Sequence, residues 1–229
     1  MKSFIEKTSI IIAFSSFFLF FILLVLKLVF SESYVNFLYS FESIKDDSKF
    51  IYPYSFRLEY AKKTLNLILE NNYQNQENLF FTEREINHLK DVSILLKKLF
   101  LIKDILLIVA IISLIFIYLH MEKNTIKILN LLLLFFKIYI FLVLLLFIFS
   151  SIFFRIFFTS MHKFFFEENT WIFDKEDLII QLFPPNFWYI GTIFYFAILE
   201  FLFIFYFIML KYLKTMKSET STNEESKGK

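Results

Sequence analysis

The chain of 229 residues has no cysteine, two glycines, three prolines and three histidines. Without cysteine there is no disulfide, no thiolate nucleophile and no zinc–thiolate site. Two glycines, one of them in the polar tail, exclude a glycine-rich phosphate loop and the small-residue motif that pairs membrane helices. The formal charge is +2 and no block of five or more basic residues occurs, so nothing points to a nucleic-acid partner. What the chain has is hydrocarbon: 58% hydrophobic and 22% aromatic residues, with a mean hydropathy of +0.61. Long apolar runs of this kind define an integral membrane protein.

Four such runs divide the sequence. Residues 1–30 hold the N-terminus, with Lys2 and Lys7, and a first span from Ser9 to Phe30. That span is longer than a signal-peptide core, and Ser31 makes a weak cleavage site, so it is read as retained. Residues 31–98 form a cap, 99–119 the second span, 120–127 a short turn and 128–154 the third span. Residues 155–189 leave the membrane again, 190–210 form the fourth span, and 211–229 are a polar tail expected to be disordered. Four spans put both termini on one side. The lysines at 2, 7, 123, 127, 211, 214 and 217 place that side in the cytoplasm and the cap outside a plasma membrane. Trp171, Trp188 and Tyr189 suit an outer interfacial belt.

Within the cap, Phe50, Tyr52, Tyr54, Phe56 and Leu58 alternate with period two, which predicts a strand that Pro53 confines to an edge. Tyr34 to Tyr39 offers a partner strand. A helix is expected from about Arg57 to Glu70, stopped by Asn71 and Asn72, and Asp174 is read as an N-cap before the Pro184-Pro185 stop. The fold class is therefore all-α integral membrane, four transmembrane helices under an outer cap of short strands and helices.

The best-defined local signal is Phe80 to Val92. Thr82 and Glu85 form a capping box, flanked by the Phe81 and Ile86 staple, so a helix starts at Glu83. Glu85, His88 and Asp91 recur on one face of it; Ile86, Leu89, Val92, Leu96 and Leu99 line another. His162 falls on the same side of the membrane as His88, and His120 on the other. Imidazoles titrate near neutrality, so two of them meeting at one leaflet surface can serve as base and as acid or electrophile. The plain alternative for each is a polar residue at an interface.

Lys27, Lys103 and Arg155 near the outer span ends either snorkel or ring a cavity with positive charge, which suits an ester oxyanion or a phospholipid headgroup. Glu85-x-x-His88 matches half of a di-metal carboxylate motif, and Glu85, His88, Asp91 and His162 could make a mixed nitrogen–oxygen site. The missing second half argues against a metal, and no cofactor is expected. Deep in the spans, Lys137 lies ten residues after Lys127 and Glu200 eleven before Lys211. At about 1.5 Å per residue the two reach similar depth, which predicts an interhelical salt bridge.

Phe81-Thr-Glu-Arg-Glu-Ile-Asn-His88-Leu-Lys-Asp91-Val, with His162-Lys-Phe-Phe-Phe-Glu-Glu-Asn-Thr-Trp171 and Leu182-Phe-Pro184, resembles the lipoprotein intramolecular transacylases of low-GC Gram-positive bacteria. The resemblance spans the four-helix architecture, although Leu89 stands where the family commonly has Met. It implies transfer of an acyl chain from the sn-2 ester of a lipoprotein's diacylglyceryl-cysteine to that cysteine's α-amine, giving the lyso-form. It implies functional histidines at His88 and His162, and a membrane-anchored lipoprotein substrate among membrane lipids. The sequence does not give the oligomeric state, and a monomer is taken as the starting assumption. Glu85 and Asp91 favour His88 as the base. Arg155, Lys103 or a protonated imidazole would hold the oxyanion. The competing readings are a metal-dependent membrane hydrolase built on Glu85, His88 and His162, and a non-enzymatic membrane adaptor or sensor.

Overall fold

The structure is a computed structural model describing residues 2–70, 80–120 and 125–227. The helices are α1 (Lys2–Val29), α2 (Glu32–Tyr39), α3 (Glu42–Lys45), α4 (Tyr54–Glu70), α5 (Glu83–His120), α6 (Thr125–Ile152), α7 (Phe154–Phe165), α8 (Leu178–Leu182) and α9 (Pro185–Lys227), with a 3-10 turn at Asp47–Lys49. α1, α5, α6 and α9 each contain a segment long and apolar enough to cross a membrane: Thr8–Val29, Glu83–Ile117, Ile128–Ile152 and Pro185–Lys217. The 38 residues of α5 reach about 57 Å, against about 30 Å of hydrocarbon, so one end must stand clear of it. The charged end, Glu83 to Lys98, is the one suited to do so.

No strand occurs among the described residues: Tyr34 to Tyr39 lies in α2, and of the stretch from Phe50 to Leu58 the part from Tyr54 onward is helical, in α4, while Phe50 to Pro53 is irregular. The alternation misled because the same aromatics also satisfy a four-residue spacing. Phe56 stacks on Tyr60 at 4.0 Å on one face of α4, and Tyr52, just before the helix, stacks on Phe56 at 4.7 Å. Pro53 does not sit on a sheet edge; its carbonyl accepts the Arg57 N–H that opens the first turn. The Asn71–Asn72 stop and most of the turn after His120 lie outside the described residues. α9 stays helical to Lys227, past Ser218 where disorder was expected; no glycine or proline interrupts it after Gly191 until Gly228.

The chain divides into two compact units. The first, Met1–Ile22, Lys103–Phe147 and Phe196–Lys229, is built from parts of the four long helices. Ile10, Ala13 and Ile117 are buried there against Phe14, Ile128, Leu131 and Phe135. Phe18 stacks on Tyr139 at 3.8 Å and on Phe203 at 5.0 Å, and Tyr139 shares a 3.2 Å hydrogen bond with Ser15. Ile11, Ile112, Phe141, Phe201 and Ile208 are exposed, as side chains meeting lipid tails should be. Glu200 and Lys137 do not pair. Lys137 is exposed, and the buried Oε2 of Glu200 has no hydrogen-bond partner among the described residues. Equal depth did not fix the rotation of either helix.

The second unit, Leu23–Ile102 and Ile148–Tyr195, carries both candidate histidines. Its core joins Val35, Leu38 and Tyr39 of α2, Ala61 and Leu65 of α4, Leu89 and Leu96 of α5, and Leu182 and Phe187 further on. Arg57 is fully buried and binds the segment from α3 to α4. Its guanidinium donates to the carbonyls of Tyr52 (3.0 Å) and Ile44 (2.7 Å) and to Asp47 (3.1 Å), and lies 3.7 Å over the Phe50 ring. The Tyr39 hydroxyl donates to Leu182 O at 2.5 Å, tying α2 to α8.

Candidate active site

The capping box at the start of α5 is present. Glu85 Oε2 accepts the Thr82 N–H at 2.7 Å and the Thr82 hydroxyl at 2.9 Å, and the Glu85 N–H points back to that hydroxyl at 3.4 Å. The other oxygen reaches a second helix: Oε1 accepts the Ile179 N–H, near the start of α8, at 2.8 Å. One buried carboxylate therefore caps two helices. Asp177, rather than Asp174, is the N-cap of α8, and its own carboxylate takes the Asp174 N–H (2.7 Å) and Arg84 (3.2 Å) instead of capping. Arg84 also lies 4.8 Å over Phe173, which stands 5.5 Å from the His88 ring.

His88 follows one turn after Glu85 and is buried, at 6% exposure. His162 lies in the last turn of α7, which breaks from α6 at Phe153. The two imidazoles come together with centroids 6.2 Å apart and planes 24° from parallel. Aromatic rings enclose them: Phe166 lies 5.0 Å from His88 and 5.6 Å from His162, Phe158 4.0 Å from His162, and Trp171 5.0 Å from His162. Burial lowers the pKa of His162 from its ordinary value near 6.5, more than the bond to the Phe158 carbonyl raises it.

The hydrogen bonds distinguish the two rings. Nδ1 of His162 meets the Phe158 carbonyl at 2.9 Å, and since a carbonyl only accepts, Nδ1 carries the proton. The neutral ring then presents Nε2 as a lone pair. Among the described residues, Nδ1 of His88 is buried without a hydrogen-bond partner, as is Nε1 of Trp171. Beside His88 lies a cavity with about 70 Å³ of free space, otherwise lined by apolar and aromatic side chains including Val35, Leu65, Ile68, Leu89 and Phe183.

The remaining candidates are elsewhere. Both oxygens of Glu85 are engaged with Thr82 and Ile179, Asp91 is exposed, and neither bonds His88 through Nδ1. Lys27 is exposed, 5.7 Å from the Phe100 ring, and Arg155 is exposed. Lys103 belongs to the first unit, where it pairs with its neighbour Asp104. Among the described residues no three histidine or carboxylate side chains converge as a metal site would require. The Trp171 indole and the Phe158 carbonyl were not singled out for the site by spacing, because one more aromatic in so aromatic a chain carries no signal.

A family model described as lipoprotein intramolecular transacylase Lit matches residues 10–188. The chain belongs to this family. Lit proteins are acyltransferases that act on lipoproteins, and the four apolar helices agree with a membrane-integral enzyme. The crystal structure of the membrane-integral lipoprotein intramolecular transacylase Lit from Bacillus cereus is similar over 93% of this chain and 99% of its own, with a TM-score of 0.71. At 19% identity that likeness speaks for the Lit fold. No curated protein sequence matches the chain.

Proposed function

We propose that this Lit-family enzyme moves the acyl chain from the sn-2 ester of a diacylglyceryl-cysteine to the cysteine α-amine, leaving a lyso-form lipoprotein. The observation that carries this reading is the pair of caged imidazoles, 6.2 Å apart, beside an apolar cavity. One reacting carbon can lie within hydrogen-bond reach of both rings. His162 is the base, since its Nδ1–H is fixed on Phe158 O and Nε2 is left to accept. Amine, ester and thioether belong to one substrate, so holding a cyclic conformation supplies much of the rate.

The unprotonated amine nitrogen, of pKa about 7.7–8.0, attacks the ester carbonyl carbon. His162 Nε2 takes the proton that the nitrogen must lose and returns it to the sn-2 oxygen as the carbon–oxygen bond breaks. His88 holds that departing oxygen by a ring N–H. The products are an amide and a free hydroxyl, with no acyl-enzyme and no cofactor. The site faces the outer leaflet, and both termini lie in the cytoplasm.

Mass spectrometry of lipoprotein N-termini, in a host lacking other N-acylation, tests this. Expressing the gene should convert free-amine diacyl lipoproteins to N-acyl, lyso-glyceryl forms, and His88→Ala and His162→Ala should each abolish the change. Unaltered lipoproteins with the wild-type protein present in the membrane would overturn the proposal.

A further inference from the structure

The proposed reaction leaves one atom without a partner, the carbonyl oxygen that becomes negative when the amine adds. Arg155 and Lys27 are exposed, where an oxyanion gains little from either, and Lys103, although buried, is taken up by Asp104. Inside the ring cluster, by contrast, two buried polar atoms have no hydrogen-bond partner among the described residues, His88 Nδ1 and Trp171 Nε1. An indole N–H can only donate, and a buried one nearly always has an acceptor. Orphans of this kind are completed either by an ordered water or by a group that arrives later. Two of them flanking His162, one ring 6.2 Å and the other 5.0 Å away, favour an arriving group.

Local structure shows how Trp171 is held there. After α7 ends at Phe165 the chain turns back at Glu167 to Thr170. Asn169 takes φ of 68°, a left-handed conformation that asparagine tolerates better than most residues. The Thr170 hydroxyl donates to Glu167 O at 2.9 Å and closes the turn. The indole is thus returned by a tight turn to the helix end that carries His162.

We infer that Trp171 is a catalytic residue whose indole N–H donates to the carbonyl oxygen of the migrating acyl group. This rests on the acyl-transfer reading above. As the amine nitrogen bonds to the carbonyl carbon, the π electrons move onto that oxygen, and Nε1–H holds the charge. When the carbonyl re-forms, the sn-2 oxygen leaves with the proton delivered by His162. The donor matters in the tetrahedral state more than in the ester ground state, so its loss should appear in kcat and not in KM.

The test is Trp171→Phe in the full-length enzyme, assayed on a synthetic diacylglyceryl-cysteine peptide. A phosphonate analogue, with a tetrahedral P–O⁻ in place of the ester carbonyl, serves as the second probe. Expected are a kcat lowered about 100-fold, KM unchanged, phosphonate affinity lowered by a similar factor, and a melting temperature no lower than wild type. A kcat within about threefold of wild type, or a loss accompanied by a lowered melting temperature, overturns the assignment. His88→Ala and His162→Ala separate the two levels of the argument. If they are inactive while Trp171→Phe is active, only the indole's role fails; if they are active, the acyl-transfer site itself is wrong.

Discussion

His162 shows how much one side chain depends on its surroundings. Phe158, Phe166 and Trp171 enclose it, and the resulting burial pulls its pKa below 6.5. In the unfolded chain the same ring titrates near 6.5. Between the folded value and about 6.5 the unfolded chain binds more protons, so acidification through that window favours unfolding. Thermal unfolding in detergent should therefore show a melting temperature that falls as pH drops from 7 toward 5. His162→Gln, which cannot take the proton, should fall less steeply over the same range. Equal slopes would show that the cage does not favour the neutral ring.

At the scale of elements, the helix that carries His88 is positioned by a carboxylate that ties α5 to α8. Glu85 satisfies two of the N–H groups that any helix start leaves unpaired, one on each helix. Glu85→Gln offers one acceptor oxygen where two are used, and its amide nitrogen faces a donor. The expected loss is about 1–2 kcal/mol, which in a chain of this size is about 2–4 °C in melting temperature for each kcal/mol. Because Glu85 acts on the backbone rather than on His88, kcat well below the melting temperature should stay near wild type. A large fall in kcat without loss of stability would instead make Glu85 an orienting partner of His88. Arg57 has a comparable role within the cap, where its donors hold the carbonyls of Ile44 and Tyr52.

For the whole molecule, the two intramembrane charges test whether shared depth implies contact. Lys137 is exposed, and Glu200 keeps a buried oxygen without a partner among the described residues. Lys137→Met and Glu200→Gln should then change stability independently, and the double variant should equal their sum within about 0.5 kcal/mol. A coupling well above that would restore the salt bridge. Glu200→Gln alone should leave stability equal or higher, because removing an unpaired buried charge site relieves a cost.

Periodicity and composition determined the spans, the start of α5 at Glu83 and the pairing of His88 with His162 as candidates. These are properties of local chemistry: an apolar run long enough for hydrocarbon, a hydroxyl three residues before a carboxylate, an imidazole at a membrane surface. Only the tertiary structure decided what each side chain touches. It put the second half of the Phe50 to Leu58 alternation into α4 with Tyr52 stacked at its start, because a spacing of two also contains a spacing of four. It gave both Glu85 oxygens to backbone N–H groups, one of them 94 residues away on α8. It also brought Trp171 against His162 through a turn at Asn169. Contacts of that range depend on how helices rotate and where loops return, and the spacing of residues along the chain does not encode either.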